Sequence, residues 1–358
     1  MRIYAEYPNP IRCLVVKGAW SIARMVAGLT VVLVGCARSV TREGSGGNGA
    51  ASNCSPSSST PSYAPDSATK HCARGPQPGV CPAPGQPAYG QDGNYSIRVP
   101  SYSVSGDIVT DSITGLSWQR TTSATEVPWE QAAAVCSSLA LGGYSDWRLP
   151  TRLELVTIFD YGQAVALAPP FETSTAPGTV YWSTSVHGAQ GTAGSTVSPR
   201  GDVADGYEGG GLGWVRCVRG MVPPGGYVPQ GGGATVLDQR TGLEWQRDVS
   251  SVPRMEWADA LRFCNGLHLT GGCGWRVPTV KELETIVEDT AVAPPIDTTA
   301  FPATPPEPFW TSTIVVASAG EFDNWAVLFD NELTAVIPYQ AGTAVPFAGG
   351  TLRVRCVR

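Results

Sequence analysis

The chain has 358 residues, of which 42% are hydrophobic and only 15% charged, with 42 glycines and 30 prolines. That length allows two or three domains, and the Gly and Pro content points to loops and linkers. A net charge of −6 argues against a general nucleic-acid binder, which needs a basic footprint, and gives no support for a strongly anionic partner.

Arg12, Lys17 and Arg24 precede an uncharged run from Met25 to Val34, and Gly35-Cys36 follows at once. A basic start, a short apolar core and a small residue before the cut read as a secretory signal over residues 1–35. The run is too short to span a bilayer. Leu33-Val34-Gly35-Cys36 resembles a bacterial lipobox, which implies that Cys36 is acylated and ties the mature chain to the membrane. Two acyl chains hold where one is marginal. Ala37 stands where an inner-membrane retention signal has Asp, so the outer membrane is the expected location. Losing residues 1–35 removes four basic residues and one acidic residue and leaves a net charge of −9. Residues 36–100 are rich in Ser, Gly, Pro and Ala. Such a stretch buries too little apolar surface to offset chain entropy, so it reads as a flexible spacer.

Beyond the spacer the chain says the same thing twice. Thr114-Gly115-Leu116-Ser117-Trp118-Gln119-Arg120 recurs as Thr241-Gly242-Leu243-Glu244-Trp245-Gln246-Arg247. Trp129/Trp257, Cys136/Cys264, Trp147/Trp275, Glu154/Glu282 and Trp182/Trp310 all share an offset of 128. A constant offset over so many landmarks means a duplicated domain. The copies span 101–219 and 234–358, with a Gly/Pro linker over 220–233.

Each copy opens on a strand, Asp107–Asp111 or Ala234–Asp238, then a Thr-Gly turn and a half-buried strand around Trp118 or Trp245. A first helix starts near Pro128 or Met255. Trp129, Ala132, Ala133, Cys136 and Leu139 share one face, as do Trp257, Leu261, Cys264 and Leu267. Gly142-Gly143 and Gly271-Gly272 are expected to end it. Thr151 with Glu154, and Thr279 with Glu282, are capping boxes that start a second helix. Short strands follow around Trp182 and Trp310. In the closing strands Val215 and Cys217, or Leu352, Val354 and Cys356, share a face, while Arg216, Arg353 and Arg355 point the other way. Copy two has a good strand and turn over Asn324–Leu333. Copy one has only a glycine run there, so its sheet is expected to be shorter.

The chain has 10 cysteines. Exported proteins sit in an oxidising compartment, so pairing is expected. The repeat predicts Cys136–Cys217 and Cys264–Cys356. Cys72 and Cys81 are placed to close a small loop, leaving Cys54 and Cys273 for each other or for a partner. No Cys-x-x-Cys exists and the three histidines are scattered, so no metal site is expected among them.

The order of signatures resembles the C-terminal domain family of the Legionella collagen-like protein. There a Thr-Gly-Leu-x-Trp segment, a Trp/Ala/Cys helix, Trp-Arg-Leu-Pro-Thr-x-x-Glu-Leu, Tyr-Trp-Ser and Val-Arg-Cys-Val-Arg follow one another. The helix-Cys and Arg-Leu-Pro-Thr-x-x-Glu run is also similar to formylglycine-generating and sulfatase-modifying proteins. Both resemblances imply an α+β, C-type-lectin-like fold in each copy: two helices beside a small twisted antiparallel sheet. Members of the first family occur on bacterial surfaces, and some bind polysaccharides.

Several residues compete for a functional role. Trp118, Trp129, Trp245 and Trp257 sit at regular amphipathic positions and read as core. Trp182, Trp310 and Trp325 border loops and are the better candidates for stacking on a ligand. Arg148 and Arg276 are ligand candidates too, against pairing with a carboxylate inside the domain. Capping accounts for Glu154 and Glu282. Asp323, Asn324, Asp330, Asn331 and Glu332 offer oxygens of the kind Ca²⁺ takes, and a polar hairpin turn has the same composition. There is no Ser-His-Asp set, no phosphate loop and no histidine in the repeated signature, so neither enzyme activity nor a cofactor is expected. The expected function is a surface lipoprotein whose domains contact polysaccharide or another extracellular polymer. A structural envelope protein with protein partners is the alternative.

Overall fold

The structure is a computed structural model. It describes residues 4–6, 12–14, 63–74, 77–163, 167, 169–172, 180–186, 194–198, 203–204, 211–270, 272–288, 294–316, 322–329, 336–339 and 350–358. Residues Met1–Asn53 form one unit and Cys54–Arg358 another. In the first, strand β1 (Tyr4–Glu6) pairs with β2 (Arg12–Leu14). The expected lipidation site Cys36 and Cys54 lie outside the described residues, as does most of the expected signal. Among the described residues no helix is long and apolar enough to cross a membrane.

The second unit begins with a strap, residues 63–100, holding β3 (Cys72–Arg74) and β4 (Gln77–Gly79). Repeat one follows with β5 (Tyr102–Ser105), β6 (Ile108–Asp111), β7 (Ser117–Gln119), β8 (Val127–Pro128), α1 (Trp129–Ser137), α2 (Arg152–Thr157), β9 (Tyr181–Val186), β10 (Gly194–Val197), β11 (Val203–Ala204), β12 (Leu212–Gly213) and β13 (Val218–Arg219). Repeat two has β14 (Tyr227–Gln230), β15 (Thr235–Asp238), β16 (Glu244–Gln246), α3 (Trp257–Asn265), α4 (Val280–Glu284), β17 (Pro308–Val316), β18 (Phe322–Leu328) and β19 (Val336–Tyr339). Short helices and small antiparallel sheets make the architecture α+β.

The repeats share one six-stranded sheet, in the order β17-β18-β19-β11-β10-β9. The order is palindromic: each repeat contributes three strands, and β11 meets β19 antiparallel at Val203 and Val336. A local twofold axis therefore relates the halves, as in an isologous dimer. The strands of repeat one in this sheet are the shorter ones, as the sequence predicts.

The Thr-Gly signature is a turn held by the preceding aspartate. Asp111 accepts from Ile113 N at 2.8 Å and from Thr114 Oγ1 at 2.7 Å. Asp238 accepts from Arg240 N at 2.9 Å and from Thr241 Oγ1 at 2.7 Å. Gly115 and Gly242 follow with φ of +73° and +72°, where a side chain would be strained. Both capping boxes form as predicted. The first helices stop earlier than expected, at Ser137 and Asn265. Gly142 and Gly143 instead turn a tight hairpin between Leu141 and Tyr144, both with positive φ. Ala133 is exposed, whereas Ala132 and Cys136 carry the buried face of α1.

Cys136–Cys217 and Cys264–Cys356 are bonded, joining the first helix of each repeat to its closing segment. Cys72–Cys81 is bonded as well. Cys273 is disulfide-bonded too.

Two linker assignments are corrected. Residues 63–100 are not a free spacer over their described length. Tyr63, Ser67, Cys72, Gln91 and Asp92 are all at most 2% exposed. Tyr63 joins the main hydrophobic core, and polar bonds hold the rest. The Asp66 carboxylate takes Ala68 N at 2.8 Å and Ile97 N at 2.9 Å, and Gln91 bonds both backbone groups of Ala73. Residues 220–233 are not merely a linker either: β14 lies within them and pairs with β15, as β5 pairs with β6. Tyr102 and Tyr227 occupy matching places, edge-on to Phe171 and Phe301.

Candidate functional site

The repeated signature is consumed inside the fold. Arg148 meets Glu154 through two bonds of 2.8 and 2.6 Å, and Arg276 meets Glu282 through two of 2.6 Å. Such forks are rigid and directional. Burial alone would raise the Glu282 carboxyl; the Arg276 guanidinium and Thr279 N hold it below the usual value. The strap covers the second pair and comes near the first. Tyr95 lies under Arg276, with its ring centroid at 5.4 Å, and Tyr63 feels the charges of Glu154 and Arg148. Arg148 keeps 38% of its side chain exposed, while Arg276 keeps 2%.

The indoles expected to border ligand loops are core. Trp182 and Trp310 are 1% exposed and Trp325 is 3% exposed. Trp182 Nε1 donates to Val127 O and Trp310 Nε1 to Met255 O, each at 2.8 Å. The Trp325 ring meets Tyr161 of the other repeat edge-on at 5.3 Å. A ring enclosed in this way presents no face for a sugar to stack on. Asn324 lies within β18, while the Asp323 side chain, Asp330, Asn331 and Glu332 fall outside the described residues. Among the described residues no group of His, Cys, Asp and Glu gathers as a metal ion requires.

Arg216 and Arg355 do point away from the cysteine face, but not into water. Arg216 donates to Gln119 O at 2.8 Å and to Glu172 O at 2.7 Å, near the Phe171 and Tyr181 rings. Arg355 donates to Gln246 O and Arg247 O at 2.7 Å, over Phe301. Burial lowers the Arg355 pKa to about 9.

A second polar cluster lies at the seam between the repeats. Lys281 Nζ donates to Asp66 O at 3.0 Å and to Thr157 O at 2.9 Å, tying repeat two to the strap and to repeat one. Arg152 pairs with Glu284 across the seam. Asp92 accepts from Ser67 Oγ and, at 2.5 Å, from Thr313 Oγ1. Burial, with Asp66 nearby, raises the Asp92 pKa to about 7, and burial lowers that of Lys281 to about 8. The sequence reading missed this cluster. Its signal is where the copies disagree: at the offset of 128, Arg152 matches Val280, Leu153 matches Lys281 and Val156 matches Glu284.

A family model described as the Lcl C-terminal domain matches residues 107–219 and again residues 234–358, more than half of the chain. The chain belongs to the Lcl C-terminal domain family. Each match begins just after an edge strand, β5 or β14, that the structure adds to the corresponding Lcl C-terminal domain. Comparison with curated proteins and with solved structures finds no match.

An open cleft of about 290 Å³ lies between the strap and the first Lcl C-terminal domain. Lys70, His71 and Val99 stand on the strap side. Tyr102, Asp160 and Gln163 stand on the domain side, over a floor that includes Phe159. The strap is fixed there by Tyr161 N donating to Ser67 O at 2.9 Å. Gly162 permits the close approach, since a Cβ would lie 3.0 Å from Ala68 O. Asp160 accepts from Gly162 N at 2.9 Å. Burial raises its pKa, against that bond and the charges of Lys281 and Lys70.

Proposed function

We propose that this chain is a non-catalytic binding module of a bacterial cell envelope. In this reading each repeat is a C-type-lectin-like domain that contacts polysaccharide or another extracellular polymer. A lipid anchor at Cys36 and an outer-membrane location belong to the same proposal. The observation that carries it is the internal use of the repeated signature: Arg148, Arg276, Glu154, Glu282, Asp111 and Asp238 all bond within the fold. Cys136, Cys217, Cys264 and Cys356 are all in disulfides, so the reactive thiols that a formylglycine-generating activity uses are missing from those positions. Disulfide bonds also fit an oxidising, extracytoplasmic compartment.

The test is retention of the full chain on immobilised envelope and host polymers. Retention on a defined polysaccharide, competed by the soluble form, supports the reading; turnover of a substrate or failure on every polymer counts against it. A second reading, docking of an envelope protein, is favoured by the edge strand β5, whose Ser103–Ser105 face solvent without proline or charge. Unpaired edges of that kind accept an added strand. Crosslinking in intact cells that recovers one protein neighbour would favour it.

A further inference from the structure

The cleft beside the strap has chemistry that the repeated signature lacks. Its cation and its imidazole are open to solvent, unlike the enclosed Arg276. Lys70, His71 and Gln163 are exposed, and Asp160 is half-buried, its carboxylate held by Gly162 N and by the Gln163 side chain. Donors and acceptors therefore share one small opening. Lys70 and Asp160 offset each other in charge, so the rim does not select a strongly charged ligand. Tyr102 and Val99 add an apolar side. Pockets for drug-sized ligands run about 300–1,000 Å³, so 290 Å³ suits one ring rather than an oligomer. A neutral pyranose has that combination: vicinal hydroxyls around its edge and an apolar C–H face.

The cleft also depends on the strap. One side of its wall comes from residues 68–71 and 99–100, and the strap occurs once in the chain. The position matching Asp160 in repeat two is Glu288, whose backbone N bonds Pro295 O at 2.9 Å.

We propose that this composite cleft binds a single uncharged hexose unit of a glycan, and that each chain carries one such site despite its two domains. The inference rests on the binding-module reading above and deepens it. Titration calorimetry of the full chain against a panel of neutral hexose oligosaccharides tests it. The expected result is one site per chain, with affinity falling at least tenfold in Asp160→Asn and in Lys70→Ala. Lys70 is exposed, so its variant keeps the wild-type melting temperature. Two equivalent sites per chain, or binding untouched by both substitutions, would overturn the inference. So would retention on a polymer with no neutral oligosaccharide bound, which leaves the binding-module reading standing. Failure on every polymer and every oligosaccharide removes both.

Discussion

Arg152 of the first repeat pairs with Glu284 of the second across the seam, and their side chains are 1% and 0% exposed. The residues at the matching positions of the other copies are Val280 and Val156, which are also buried. Charge thus stands at one pair of positions and valine at the pair related to it by the local twofold. Removing one partner leaves the other charge buried and unpaired, at a cost of about 3–5 kcal/mol. Arg152→Val or Glu284→Val alone should lose that much stability in urea titration. The double variant, which installs the residues of the opposite copy, should recover most of it. A double variant no better than the singles would show that the pair itself does not set the cost.

The two Arg–Glu forks differ in shielding. Glu282→Ala strands Arg276, which is 2% exposed, and should cost about 3–5 kcal/mol. Glu154→Ala leaves Arg148 38% exposed and able to reach water, so about 1–2 kcal/mol is expected, most of it the lost cap. Chemical denaturation of both variants gives the order, and equal losses would refute the burial argument.

The seam makes stability depend on pH in an unusual direction. Asp92 has its folded pKa raised from 3.8 to about 7. Between those values the folded state holds the extra proton, so this group's contribution is complete near pH 4 and is lost as pH rises through 7. Lys281 has its folded pKa lowered from 10.5 to about 8. Its contribution is present above pH 10.5 and is lost as pH falls through 8. Together the two place a trough between about pH 7 and 8. Asp92→Asn keeps an oxygen for Thr313 and should flatten the fall between pH 4 and 7. Melting curves of wild type and variant across that range check it, and parallel profiles would exclude Asp92 as the source.

The strap should behave as part of the core. Removing residues 1–100 takes the Asp66 carbonyl from Lys281, Asp92 from Thr313 and Tyr95 from Arg276. A fragment of residues 101–358 should therefore show a lower melting temperature and a strong tendency to aggregate. An unchanged melting temperature would return the strap to the status of a tether.

What could be read from the sequence was local or duplicated. The Asp111 and Asp238 turns, the Thr151 and Thr279 caps and the helix-to-closing-segment disulfides each need only a few residues and occur twice. The strap escaped because much of its hold is made by single hydrogen bonds to distant groups and by one ring, Tyr63, that enters the core. A Ser, Gly and Pro composition says nothing about whether Asp66 will find Ile97 N or Lys281. Arg216 and Arg355 escaped for a related reason: alternation turns them away from the cysteines, but Phe171, Tyr181, Phe301 and Phe309 close over them from elsewhere in the chain. The Trp182 and Trp310 indoles looked available because they border loops, yet each reaches back to a carbonyl 55 residues earlier.

The meeting of β11 with β19 has a consequence for how such chains grow. The edge that each repeat offers its twin is spent in the pairing, and the symmetry closes on itself. A third tandem copy would find no equivalent partner and would carry its edge bare. Lengthening by whole pairs leaves none over, so an even number of repeats is the arithmetic this arrangement favours.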